Sequence, residues 1–322
     1  KKIIDKLIDA LHKIKGAYSL VILTNKKLIG VRDPYGIRPL VLGDKNGSPV
    51  LASETCALDM IGANYIRDIE NGEIIVITDE GIESIKPFKK VKERPCIFER
   101  IYFASPDSIV DNKTVYTYRK SLGEQLANEN NICADVVVPI PDSGVSAAIG
   151  FSQRSSIPFE LGIIRSHYVG RTFIEPSQTI RQFGVKLKHS VNRSCIENKK
   201  VILIDDSIVR GTTASKIVKM VYEAGAKEVH LGISCPPIKY PDFYGIDTPS
   251  SEELIASKSN LEEMTKLVGA KSLFFLSLKG TYKAMGCEER NTNCPQFTDH
   301  CFTGDYPIDV SDILKINSEL NE

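Results

Sequence analysis

Two adjacent carboxylates, Asp205 and Asp206, follow the apolar run Val201 to Ile204. They precede a loop of hydroxyls and small residues, Ser207, Ile208, Val209, Arg210, Gly211, Thr212 and Thr213. Glycine lets a backbone approach an anion closely, and the first amides of a following helix point at it. Ser207 to Thr213 therefore read as a cradle for a monophosphate. Carboxylates repel a phosphate, so Asp205 and Asp206 suit sugar hydroxyls, directly or through a divalent cation with oxygen ligands. The combination describes a ribose 5-phosphate. Two acids after a strand also suit the capping of the next helix, which is the plain structural alternative.

Two further stretches could serve the same chemistry. Pro139 to Ala148 (PIPDSGVSAA) follows the strand-like DVVVP and offers Pro141, Asp142, Ser143 and Gly144 at a second strand-to-helix turn. That turn suits a pyrophosphate and its Mg²⁺, or simply a helix entry capped by Asp142 or Ser143. His167 to Ser190 is long and basic at Arg171, Arg181, Lys186 and Lys188. Unstructured loops of that length are uncommon inside compact domains unless they are lids or disordered, and a cationic lid over a polyphosphate uses the charge.

These loops need a frame. From Tyr102 onward the pattern alternates. Helices are expected at Tyr116 to Ala127, Ser146 to Ser155 and Ala214 to Ala224, and strands at Asp135 to Pro139, Glu160 to Ile164, Val201 to Ile204 and Val229 to Ser234. Strands separated by helices imply a parallel sheet with right-handed crossovers, an α/β doubly wound domain with ligands beyond the carboxyl ends of its strands. The chain before it is β-rich. An amphipathic helix opens it with Ile3, Ile4, Leu7, Ile8, Leu11 and Ile14, and strands follow at Ala17 to Thr24, Leu28 to Val31, Val41, Pro49 to Ala52 and Glu73 to Thr78, with glycine-containing turns between them. The basic run Lys86 to Arg94 reads as a solvated connector.

A chain of 322 residues fits about two domains of ~150 residues. Lys+Arg 41 against Asp+Glu 41 leaves no net charge to steer toward nucleic acid or an anionic membrane. No apolar run reaches membrane-spanning length and no signal-peptide pattern opens the chain, so a cytoplasmic location is expected. In that compartment the eight cysteines are thiols or metal ligands before they are disulfides.

The segments CIFERIYFASPDS, VPIPDSG, RSHYVGRTFI, VKLKHS, VILIDDSIVRGTT and EAGAKEVHLGISCPPIKYPDFYGIDTP, in that order, resemble the amidophosphoribosyltransferase family. RDPYGIRPL, LASETCALDMIGA and IENGEIIVI resemble the later half of that family's glutaminase domain. The resemblance implies a type I phosphoribosyltransferase domain over residues 91–322. Before it, residues 1–90 would form the C-terminal half of a class II, N-terminal-nucleophile glutamine amidotransferase domain. It implies displacement of pyrophosphate from C1 of phosphoribosylpyrophosphate (PRPP) by ammonia, taken from glutamine in the longer enzymes, to give 5-phosphoribosylamine. That is the first committed step of purine (IMP) synthesis. Purine nucleotides would inhibit, and a homo-oligomer is expected.

Carried over residue by residue, Asp205, Asp206 and Arg171 are the expected catalytic residues. Ser143, Asp205 and Asp206 would hold Mg²⁺-PRPP, Ser207 to Thr213 the 5-phosphate, and Pro141 to Gly144 the pyrophosphate. Tyr168 to Lys188 would close over the substrate, with Tyr168 and Lys188 in contact with it. The family's nucleophilic N-terminal cysteine has no counterpart here: Lys1 stands where the glutaminase domain is already under way, so the chain as given looks truncated and is expected not to hydrolyse glutamine. Cys56 sits mid-chain and cannot replace that cysteine. A PRPP enzyme acting on a nucleobase, or a regulatory module that binds PRPP or nucleotide without catalysis, are the alternatives.

Part of the family carries a structural [4Fe-4S] cluster on four cysteines. Cys96, Cys235 and Cys301 stand at matching positions. The fourth position is Thr298, a poor iron ligand. Cys294 is the expected substitute, with Cys287 behind it in the same loop.

Overall fold

The computed structural model describes residues 2–166, 189–248 and 250–313. The chain divides into two compact units, Lys1–Thr114 with Asp242–Thr248 and Asn291–Glu322, and Val115–Pro241 with Pro249–Arg290. The segment 91–114 and two later stretches group with the first unit. Among the described residues no helix is long and apolar enough to cross a membrane.

In the first unit the strands are β1 (Ser19–Leu23), β2 (Leu28–Arg32), β3 (Val41–Lys45), β4 (Ser48–Ala52), β5 (Asn64–Asp68), β6 (Ile74–Thr78), β7 (Gly81–Ile85), and a short hairpin of β8 (Ile109–Val110) and β9 (Lys113–Thr114). One antiparallel sheet has the order β1-β2-β6-β7 and another β4-β3-β5. Strand β6 shows why both exist. Ile74 and Val76 pack with Leu11, Ile29 and Val31, whereas Ile75 and Ile77 pack with Leu40, Leu42 and Ile69. Alternate side chains of a strand leave opposite faces, so an unbroken apolar run here lies in two clusters at once. The opening helix, Ile3–Leu11, lays Ile4, Leu7, Ile8 and Leu11 against the first of them. Residues of the basic connector form no helix or strand.

The second unit holds β10 (Val136–Pro139), β11 (Ile163–Arg165), β12 (His189–Val191), β13 (Lys200–Asp205), β14 (Glu228–Ile233) and β15 (Ser272–Phe275). Its central sheet is parallel, in the order β10-β13-β14-β15. Val136, Val137, Val138, Val201, Ile202, Leu203 and Ile204 are each at most 1 % exposed. A strand buried on both faces loses its polar alternation, and each such side chain contributes about 1.5–3 kcal/mol of transfer free energy. The helix Val145–Ser155 packs on Val115–Glu129 and on the sheet, and Thr212–Glu223 buries Ala214, Ile217, Val218 and Val221.

One expected strand needs revision. The strand Glu160 to Ile164 is split. Around Phe159 the chain makes a parallel bridge to Val137, and after Gly162 it turns into β11, which pairs antiparallel with β12. A β propensity says nothing of which partner a strand finds. The structure also adds β5, β7 and β15, and the helices Thr55–Ile61, Leu261–Val268 and Leu278–Ala284. Leu261–Val268 starts at a reciprocal capping box between Asn260 and Glu263.

Candidate functional site

The site follows from where strand order reverses. One edge of β10 pairs with β13 in the register Pro139 to Ile204. Its other edge meets the segment next in sequence: the Val137 N–H donates to the Pro158 carbonyl at 2.8 Å, and the Glu160 N–H to the Val137 carbonyl at 3.0 Å. Chain leaving β10 therefore goes to one side while β13 lies on the other. In an open α/β sheet a crevice forms at such a point, outside the carboxyl ends of the strands. The loops that leave β10 and β13 there are Ile140 to Gly144 and Asp206 to Gly211.

The two loops are held close by backbone. The Ile140 N–H donates to the Ile204 carbonyl at 2.8 Å, and a Cβ on Gly144 would stand 2.2 Å from that same carbonyl oxygen. Only glycine fits there. The Ser143 hydroxyl hydrogen-bonds the Asp205 carboxylate, while Asp142 forms an ion pair with Arg165. Arg165 opens the RSHYVGRTFI segment, but its pairing with Asp142, 23 residues earlier, was not foreseen.

Asp206 is 5 % exposed and Asp205 partly so. The Asp206 N–H donates to Asp205 Oδ1 at 2.9 Å, and the Ser207 hydroxyl to Asp206 Oδ2 at 2.5 Å. Among the described residues neither carboxylate forms an ion pair with Lys or Arg. Burial first, and the Asp206 charge second, push the Asp205 carboxyl well above the usual carboxylate range. A divalent cation would relieve both effects. Mg²⁺ keeps several waters and takes only one or two carboxylates plus substrate oxygens, so Asp205, Asp206 and Ser143 are a donor set of the right kind.

Beyond the acids, Gly211 adopts φ +77° and precedes the helix Thr212–Glu223, whose start has no side-chain cap. Its first amides face a cavity of about 230 Å³ lined by Asp205 and by Ser207 to Ala214. A positive φ suits glycine, and an uncapped helix start is ready for an anion. Arg210 Nε donates to Glu253 Oε2 at 2.5 Å, and the Ile255 N–H donates to the Val209 carbonyl at 3.0 Å. Glu253 was likewise missed. Tyr168, Arg171 and Lys188, with the expected lid Tyr168 to Lys188, lie outside the described residues.

Residues 2–60 match a model described as a glutamine amidotransferase domain, and residues 106–255 one described as a phosphoribosyl transferase domain. The solved structure of glutamine phosphoribosylpyrophosphate amidotransferase from Bacillus subtilis, complexed with ADP and GMP, is 47% identical. It superposes with a TM-score of 0.89 over 96% of this chain and 68% of that one. The chain belongs to the amidophosphoribosyltransferase family. An amidophosphoribosyltransferase of Rhizobium etli is 58% identical over 96% of this chain, and a chloroplastic one of Arabidopsis thaliana 52% over 96%. The chain spans 63% and 54% of the length of these two relatives.

Among the described residues no three His, Cys, Asp or Glu side chains are grouped so as to hold a metal ion. Thr298, at the position of the fourth thiolate, is 1 % exposed and bridges to Cys96 through its backbone; its hydroxyl donates to the Arg94 carbonyl at 2.5 Å. The Cys235 thiol donates to the Pro236 carbonyl, and burial pushes the Cys96 thiol up to about 12. Cys294 and Cys301 form no disulfide and are half-buried and buried. The position that should bring a thiolate is thus occupied by a hydroxyl committed to backbone.

Proposed function

We propose that this chain transfers a phosphoribosyl group from PRPP to ammonia, releasing pyrophosphate and forming 5-phosphoribosylamine as the first committed step of purine synthesis. The observation that carries it is the acidic pair, without a cationic partner among the described residues, beside an uncapped helix start at the strand-order reversal. In this reading Ser207 to Thr213 take the 5-phosphate, Asp205 and Asp206 the ribose hydroxyls, and Pro141 to Gly144 the pyrophosphate. Tyr168, Arg171 and Lys188 belong to the segment that closes over the substrate. Residues 1–90 are the later half of a glutaminase domain and 91–322 the transferase domain.

The reaction breaks the C1–O bond to pyrophosphate and forms a C1–N bond. No protein nucleophile is needed, because the leaving group departs with its electron pair and the sugar ring oxygen shares the positive charge that develops at C1. The work of the chain is to orient and to place charge before the reaction begins. Asp205, Asp206 and Ser143 would hold Mg²⁺, which when bound supplies stabilisation of the leaving pyrophosphate charge. The carboxylates also set negative charge beside a sugar that turns cationic. The amides at Gly211 to Ala214 fix the other end of the substrate.

The Bacillus subtilis structure contains ADP and GMP by its name. A nucleoside 5′-monophosphate carries the same ribose 5-phosphate as PRPP, so purine nucleotides are proposed inhibitors that share this cradle. A homo-oligomeric state and a cytoplasmic location complete the proposal. The test is pyrophosphate release from Mg²⁺-PRPP by residues 1–322. Release with ammonia and none with glutamine is the expected result. Absence of release with ammonia would overturn the reading, and equal release with glutamine would overturn the assignment of residues 1–90.

A further inference from the structure

Glu253 belongs to none of the motifs that carry the resemblance, yet its segment is tied to the phosphate loop three times. Its carboxylate accepts from Arg210 Nε at 2.5 Å, the Ile255 N–H donates to the Val209 carbonyl at 3.0 Å, and Ile255 Cδ1 would lie 3.1 Å from a Cβ on Gly211. The ion pair engages Arg210 through Nε alone. Its two terminal nitrogens have no partner among the described residues, and Arg210 lines the cavity beneath the helix start.

We propose that Glu253 is a positioning residue: it anchors Arg210 by Nε, so that the two terminal nitrogens of the guanidinium face the 5-phosphate of the ligand. This rests on the phosphoribosyl reading of the loop. A guanidinium is a rigid planar fork, able to give one edge to a carboxylate and another to two phosphate oxygens. An unanchored arginine loses its rotamer freedom when it binds, whereas an anchored one has already lost it. Both side chains are about half exposed, 55% and 52%. Exposed pairs of this kind contribute little to folding stability, so the role of Glu253 shows in binding and not in melting.

Ribose 5-phosphate is the probe, because it carries the 5-phosphate without the pyrophosphate. Calorimetric titration of the full chain is expected to give binding about tenfold weaker in Glu253→Ala, equivalent to ~1.4 kcal/mol. Glu253→Gln, which keeps an acceptor for Nε, should recover part of that loss. Arg210→Lys, a point charge without the fork, should weaken binding, and adding Glu253→Ala to it should cost nothing more, since a contact shared by two residues is lost only once. In turnover the KM for PRPP should rise by the same factor with kcat little changed, and the melting temperature should not move. Unaltered ribose 5-phosphate affinity in Glu253→Ala, or a melting temperature that falls with it, overturns the inference. No binding of ribose 5-phosphate by the unaltered chain overturns the phosphoribosyl reading itself.

Discussion

Two loops of this molecule look alike in sequence and differ in what their polar groups do. The turn RDPYGIRP in the first unit and DDSIVRGTT in the second each follow a strand, and each combines aspartate, arginine and glycine. In the first, Asp33 is fully buried and accepts the N–H groups of Tyr35, Ile37 and Arg38 at 3.0, 3.2 and 3.2 Å. Arg32 donates to the carbonyls of Arg38, Ile69 and Gly36 at 2.9, 2.8 and 3.1 Å. The charged groups of Asp33 and Arg32 are both used to hold the turn. In the second, two carboxylates lie together with no cationic partner among the described residues, and the helix behind them starts uncapped. Burial raises the carboxyl of Asp33 as well as that of Asp205. A shifted acid therefore does not mark a site by itself; donors and acceptors left over do.

This contrast can be broken first at Asp33. Asp33→Ala strips three buried amides of their acceptor and should cost on the order of 4 kcal/mol, read as a lower urea midpoint. A loss below about 1 kcal/mol would mean that water replaces the carboxylate and that the two loops are less different than their hydrogen bonds suggest. Asp206→Asn should do the reverse. Activity should fall about 100-fold, ~2.7 kcal/mol of transition-state stabilisation, while the melting temperature holds. A melting loss like that of Asp33→Ala would make Asp206 a structural carboxylate.

The smallest effect sharpens the comparison through pH. A carboxyl whose folded pKa is raised is easier to protonate in the native state, so its ionisation costs stability as pH climbs from the usual carboxylate value through the raised one. Ligand-free Asp205→Asn should therefore melt above the unaltered chain at pH 8, and the gap should close as pH falls toward the ordinary carboxylate range. A gap independent of pH would show that the folded state does not raise the carboxyl of Asp205.

Much of the transferase-type unit was legible because its signals are local. Val201 to Ile204 reads as a buried strand whatever surrounds it, and the helix behind Gly211 announces itself by apolar spacing; both are present as β13 and Thr212–Glu223. Where a signal depended on a distant partner, nothing local could carry it. Nothing near Glu160 shows that the chain bridges to β10 and then turns away to pair with β12. Nothing near Thr298 shows that its hydroxyl is taken by the Arg94 carbonyl.

By itself the sequence determined the character of the elements and the inventory of the site: buried strands, an acidic pair, a glycine at a positive φ, and hydroxyls at a helix start. These depend on periodicity and on the steric limits of single residues, which act within a few positions of the chain. Only the tertiary structure decided which groups remain unspent. Asp142 is paired with Arg165 and Arg210 with Glu253, across 23 and 43 residues, while Asp205 and Asp206 lie together with no cation among the described residues. Side-chain pairing of this range depends on where the folded backbone carries each residue, and burial makes an unmet charge costly enough to direct what binds.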